Sequence, residues 1–252
     1  MLATVISYCT NDERFIRECL DQAISVSDLV VVPISSHLFD GTPENTESIT
    51  KLSAEYPNVS FIMFDWEEGQ HPRYWHNMSR IVGNHVLPED VDWVLFLDSD
   101  EILDSKLFNE FKKDPTFENY DSYKLGCYWY FRDTNIRATT YEDSPVLIRK
   151  KLVAIDPNNL YIEREQLHEA LDVPKRRMIL NNNIPMIHHY SWVRTKEQML
   201  QKVKAWGHNA DKDWVSLIEE EFSRPFNGKC FVNNYSYEVL DNKNLHKNIL
   251  ND

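Results

Sequence analysis

Strand and helix patterns alternate through the first hundred residues, and this alternation narrows the possible folds more than any other feature of the chain. Ala3–Ser7 is a short apolar run rich in β-branched residues, the signature of a strand. Thr10 and Glu13 then have the spacing of a capping box, and Phe15, Ile16, Cys19, Leu20 and Ala23 follow at helical intervals as one apolar stripe. Leu29–Ile34 is apolar enough to be a strand buried on both faces. Ser48–Tyr56 reads as a helix closed by Pro57-Asn58, Val59–Phe64 as a third strand, Tyr74–His85 as a helix and Trp93–Leu97 as a fourth strand. A βαβαβαβ order predicts a parallel sheet with right-handed crossovers.

Beyond Asp100 the pattern changes. Ser105 can cap a short helix carrying Leu107, Phe108 and Phe111. Aromatic or β-rich runs follow at Tyr123–Phe131, Pro145–Arg149, Met178–Leu180 and Met186–Trp192, separated by clusters such as Asp156-Pro157-Asn158-Asn159 and Asn181-Asn182-Asn183. These runs are expected to extend the same sheet with partly antiparallel strands. Thr195 and Gln198 form a second possible capping box, opening a helix with Met199, Leu200, Val203 and Trp206 on one face. No repeat or linker divides the 252 residues, so a single α/β domain is expected over 1–252. Within it, 1–100 forms one half, 101–210 a second and 211–252 a C-terminal extension that turns polar beyond about Tyr237.

The fourth strand ends in Asp98-Ser99-Asp100, followed by Glu101. Open α/β sheets bind ligands outside the carboxyl ends of their strands. Carboxylate oxygens there are hard donors suited to Mg²⁺ or Mn²⁺, which can in turn hold a diphosphate. A solvated acidic turn is the plain alternative. The formal charge of −13 argues against a phosphate-backbone binder, which needs clustered Lys and Arg, so nucleic acid is not an expected partner.

The glycines sharpen this reading. All six are isolated, no two closer than the fourteen positions between Gly69 and Gly83. Dinucleotide loops of the G-x-G-x-x-G type, phosphate cradles of the G-x-x-x-x-G-K-[ST] type and the G-x-S-x-G nucleophile elbow are all absent. His168-Glu169-Ala170-Leu171-Asp172 is not a zinc-protease H-E-x-x-H. If such a chain handles phosphate, it does so through a metal and side chains.

At this point the sequence resembles the family 2 glycosyltransferases of the type A (GT-A) fold, over roughly residues 3–210. Trp93-Val94-Leu95-Phe96-Leu97-Asp98-Ser99-Asp100-Glu101 is similar to their D-x-D strand, and Asp40-Gly41-Thr42-Pro43-Glu44-Asn45-Thr46 to the D-G-[ST]-x-D-x-T turn, with Glu44 where Asp is usual. His168-Glu169 resembles a His-Glu pair of some members, and His188-His189-Tyr190 sits where many place a third metal ligand. The resemblance implies a mostly parallel central sheet with helices on both faces and a mixed C-terminal part. It also implies transfer of a sugar from a UDP- or GDP-linked donor to a carbohydrate or other hydroxyl acceptor, typically with inversion and with Mn²⁺ or Mg²⁺ as cofactor.

Carried onto this chain, the resemblance gives Asp100 and Asp98 to the metal, with Asp98 also reaching the ribose or a metal-bound water. His188 and His189 face opposite sides of a strand, so at most one joins them, and His189 is the candidate. Glu169 is the candidate base for the acceptor hydroxyl, against a surface glutamate paired with Arg164, Lys175 or Arg176. Ser7, Tyr8 and Thr10 end the first strand, where the nucleotide base would lie. Asp40 and Asp65 are further donor-side candidates, and Arg80 can neutralise a phosphate. Trp129 and Trp192 are candidate sugar platforms, with burial in the core as the alternative.

A nucleotidyltransferase also uses an α/β sheet and carboxylate-bound Mg²⁺, but Ser7–Glu13 lacks the glycine- and lysine-rich loop that chemistry favours. A binding module without turnover is the third possibility. No run approaches the ~18 apolar residues of a membrane span, and the first residues read as a strand rather than a leader. Cys9, Cys19, Cys127 and Cys230 form no C-x-x-C pair, which points to a reducing, cytoplasmic setting.

Overall fold

The protein is described by a computed structural model covering residues 1–153, 163–179 and 184–241. In chain order the elements are β1 (Leu2–Ser7), α1 (Glu13–Ile24), β2 (Leu29–Ser35), α2 (Thr46–Glu55), β3 (Ser60–Phe64), α3 (Pro72–His85), β4 (Trp93–Asp98), β5 (Glu101–Leu103) and α4 (Ser105–Phe111). There follow β6 (Ser122–Phe131), β7 (Asp133–Arg149), α5 (Arg164–Glu169), β8 (Arg176–Ile179), β9 (Ile187–Trp192), α6 (Lys196–Lys204), α7 (Trp214–Phe222) and β10 (Tyr237–Val239). Leu180, both Asn-rich clusters and the end of the C-terminal extension lie outside the described residues.

Among the described residues, all the strands join one sheet, ordered β3-β2-β1-β4-β7-β6-β9-β5, with β10 paired to β7 and β8 to β6. The first four are parallel, as their continuous apolar runs predict. From β7 onward the sheet is mixed: β7 runs antiparallel to β4 and β6, whereas β9 runs parallel to β6. The expected α/β architecture is therefore observed.

Period-two alternation sends Leu2 and Ile6 to one face of the sheet and Ala3 and Val5 to the other. On the first face lie Phe15, Ile16, Cys19, Leu20 and Ala23 of α1, together with Ile49 and Leu52 of α2. The opposite face receives α3, and Gly83 brings that helix so close that a Cβ there would lie 2.3 Å from Val5 Cγ1. A second aromatic core joins α6 and α7 to the sheet's far end through Trp192, Trp206, Trp214 and Phe231.

Two helix caps differ from expectation. Thr10 does not cap α1; it begins a short 3-10 turn, and its hydroxyl and amide both donate to Glu44. Asp104, not Ser105, caps α4, through Leu107 N–H at 3.0 Å. The Thr195–Gln198 capping box on α6 forms as the spacing predicts. No helix among the described residues is long and apolar enough to cross a membrane.

Candidate active site

The strand order reverses between β1 and β4: β2 and β3 lie to one side of β1, β4 and β7 to the other. Ser7 and Asp98 are register partners at the carboxyl ends of this central pair. Such a switch point opens a crevice between diverging loops. A cleft of about 470 Å³ lies there, floored by Ser7, Tyr8, Asp98 and Asp100. One wall is formed by Ser35, His37, Phe64, Trp75, His76 and Arg80, and the other by Trp129, Glu142, Ser144, Arg164, Glu165 and His189. Lys202, Trp206 and His208 close one end.

Three acids in four positions are tolerated because each meets a cation from elsewhere in the fold. Asp98 Oδ1 accepts from Arg80 Nη2 at 3.1 Å and lies 3.3 Å from His76 Nε2. Burial alone would raise its pKa, but Arg164, Arg80 and His76 outweigh that and hold the carboxyl well below the usual range. Asp100 is buried, with His189 Nε2 at 3.4 Å from Oδ1 and Lys202 Nζ at 3.4 Å from Oδ2. Desolvation there is again overcome, by Lys202 and His189, and Asp100 stays ionised. Glu101 is fully buried and serves the fold: Arg164 donates to both its oxygens, and Oε2 also accepts from Asp98 N–H at 2.8 Å. His189 retains its proton well above the ordinary histidine range, since Asp100 and Cys127 beside the ring outweigh its burial.

The structure brings Ser7, Tyr8, Arg80, Asp98, Asp100, Trp129 and His189 together in the lining of one cleft. The other candidates fall outside its lining. Glu169, four residues after Glu165, has turned to the surface and meets Lys124 at 3.3 Å. Asp40 is exposed and accepts from Thr42 N–H in its own turn, while Glu44 from the same segment faces the cleft. Asp65 is exposed. Thr10 is turned toward Glu44, and Trp192 is fully buried in the second aromatic core, where its partners are Trp206, Trp214 and Phe231.

Several cleft residues escaped the sequence reading. His76, Glu163 and Arg164 belong to segments with no motif, and their partners are remote: Arg80 meets Glu163 at 3.2 Å across 83 positions. Lys202 left a visible trace, a lysine three positions after Met199 and next to Val203 on the buried stripe of α6. Glu142 and Ser144 lie within the long β7, whose polar stretch carries no local signature.

The donor set can be tested against a divalent cation. Asp12, Glu44, Asp98, Asp100, Glu101, Glu142, Glu163 and Glu165 line the cleft, against Arg80, Arg164 and Lys202. Even with His189 protonated and Arg194 paired to Asp12, these eight carboxylates leave an excess of negative charge, which would repel a diphosphate unless a hard cation accompanied it. Carboxylate oxygens and an imidazole are donors that Mn²⁺ accepts. The residues present fit the ion.

No family model matches the chain, and no curated protein matches it. Among solved structures, the chain is similar to a 4-diphosphocytidyl-2C-methyl-D-erythritol synthase from Anaerococcus prevotii, at 14% identity over 80% of this chain and 99% of that one, TM-score 0.45. It is also similar to residues 1–349 of TarS from S. aureus, at 15% identity over 88% and 72% of the two chains, TM-score 0.44. A third likeness is to a mannosyltransferase from Pyrobaculum calidifontis in complex with GDP-Man and Mn²⁺, at 11% identity, TM-score 0.39. That match covers 60% of this chain and 45% of the mannosyltransferase.

Proposed function

We propose that the protein is a metal-dependent glycosyltransferase, moving a sugar from a UDP- or GDP-linked donor to a hydroxyl of a carbohydrate or similar acceptor. The observation that carries this reading is the position of Asp98 and Asp100 at the β1–β4 switch point, in a cleft whose carboxylates exceed its permanent cations eight to three. Asp98 and Asp100 would hold the ion, with His189 as third donor once it has lost a proton. The ion, Mn²⁺ or Mg²⁺, would offset the charge of the departing nucleoside diphosphate.

The chain's own groups divide the remaining work. Arg80, fixed on α3 by Asn77 at 2.9 Å, keeps Asp98 ionised and turned toward the floor. Lys202 stands beside Asp100 and can pass to a phosphate oxygen when the ion takes its place. Tyr8, Phe64 and Trp75 offer the nucleobase an aromatic wall, and Trp129 is the acceptor-side platform. The acceptor proton needs a carboxylate in the cleft. Because Glu169 is outside it, we assign that role to the opposite wall, where Ser144 Oγ donates to Glu165 at 2.6 Å and the Tyr235 hydroxyl donates to Glu142 at 2.7 Å. Inversion follows if the acceptor attacks from that wall while the diphosphate leaves over Asp100.

Screening UDP- and GDP-sugars for slow hydrolysis with Mn²⁺ tests the reading, and at least one donor should release its nucleoside diphosphate. Release of pyrophosphate from a nucleoside triphosphate, with no sugar nucleotide consumed, would overturn it in favour of nucleotidyl transfer.

A further inference from the structure

Three neighbouring strands bring together a thiol, a carboxylate and an imidazole. Cys127 of β6 is the register partner of Glu142 on β7. On β9, His189 pairs with Trp129, two positions beyond Cys127 and so on the same side of the sheet. The Cys127 sulfur, a carboxylate oxygen of Glu142 and a ring nitrogen of His189 all lie within 4.8 Å of one another. We infer that Cys127, Glu142 and His189 form a second cation site, one for a thiophilic divalent ion such as Zn²⁺, reached through the cleft and sharing only His189 with the hard-ion site at Asp98 and Asp100.

The surroundings of each donor support this. His189 turns Nε2 toward Asp100 Oδ1 at 3.4 Å, whereas its Nδ1 is buried and makes no hydrogen bond among the described residues. Asp100 faces Nε2–H, so the proton His189 gives up when an ion binds is the one on Nδ1, the nitrogen left for the ion; a carboxylate behind a ligating histidine is the usual way its ring is oriented. The edge of Trp129 packs on that ring, with centroids 4.4 Å apart. Glu142 is aimed in the same manner: its Oε1 accepts from Tyr235 Oη at 2.7 Å and from Asn233 Nδ2 at 3.0 Å. Sulfur, nitrogen and a single carboxylate oxygen match zinc and disfavour Mg²⁺. Glu142 and His189 both line the cleft, so water can fill the fourth position of a tetrahedral ion.

On binding, the Cys127 thiol and His189 Nδ1 each give a proton to solvent, and the thiolate, carboxylate and neutral imidazole take up the ion; nothing is oxidised. Because Nε2–H stays with Asp100, His189 serves one ion at a time, and Zn²⁺ would compete with Mn²⁺ for the cleft.

Titrating the full chain, free of nucleotide, with Co²⁺ tests the inference by absorption. A thiolate-to-cobalt charge-transfer band should grow to one equivalent, resist Mg²⁺ and be displaced by Zn²⁺. Cys127→Ser should abolish the band. Glu142→Gln, a change at the cleft surface, should weaken Co²⁺ binding about tenfold or more and covers the case in which the cysteine variant fails to fold. Asp98→Asn should keep the band, so that failure at the hard-ion site is told apart from failure here. A wild-type protein without the band, or a band undiminished in the Glu142 variant, overturns the site.

Discussion

Arg164 grips Glu101 with both ends of its guanidinium, Nη1 lying 2.7 Å from Oε2, and neither side chain reaches solvent. The two residues are 63 positions apart, on α5 and β5, and their pairing allows the acidic end of β4 to be buried. Arg164→Met leaves Glu101 as an uncompensated buried charge, so stability should fall by about 3–5 kcal/mol. Chemical denaturation measures this. The paired variant Arg164→Met with Glu101→Leu should recover most of the loss.

The base assignment gives a second expectation. Glu169→Gln alters a surface contact with Lys124 and should leave transfer within about twofold of wild type. Of Glu165→Gln and Glu142→Gln, the one carrying the acceptor proton should lose roughly 10²-fold or more in kcat while donor binding persists. Steady-state rates with donor and acceptor decide between them.

Gly83 marks the closest approach of α3 to the sheet. An added Cβ would overlap Val5 Cγ1 at 2.3 Å and press on Pro33 at 3.3 Å. Gly83→Ala should therefore destabilise by about 1–3 kcal/mol despite the better helix propensity of alanine, as overpacking does. A lowered Tm is the readout.

His168 gives the protein a pH-dependent weakness. Burial, with Lys124 and Arg176 nearby, pushes its pKa down to about 4, and its Nδ1 lies 3.0 Å from Ser122 Oγ. The unfolded chain, with an ordinary histidine near 6.5, therefore binds more protons than the native one between these values. Stability from this group is complete above about pH 6.5 and falls as the pH drops toward 4. His168→Gln should flatten that part of a Tm-against-pH curve.

The half of the fold built from local pattern was legible in the residues. β1, β2 and β4 are continuous apolar runs because both their faces are covered, and the stripe from Phe15 to Ala23 is the buried side of α1. Asp98 and Asp100 stood out because two acids at the end of such a run need a purpose or a partner. Of their partners, Arg80 and His189 were among the candidates, but Arg164, Lys202 and His76 were not legible, since they reach the acids only through the folded topology. Glu169 and Glu165 show the same limit within one short helix: four residues carry a side chain about 6 Å along the axis, enough to move it from cleft to surface. Trp192, read as a platform, is claimed by an aromatic core that α7 completes, a helix that Asp213 caps by accepting from Ser216 N–H at 3.2 Å.

The central claim is that Asp100 holds a divalent cation which lets a nucleoside diphosphate enter a negatively charged cleft. Calorimetric titration of UDP and GDP into wild type and Asp100→Asn, each with and without Mn²⁺, tests it most directly. Wild type should bind one of the two nucleotides only when Mn²⁺ is present, and Asp100→Asn, still folded, should lose that binding. Equal affinity with and without Mn²⁺, or a variant that binds as wild type does, would contradict the account.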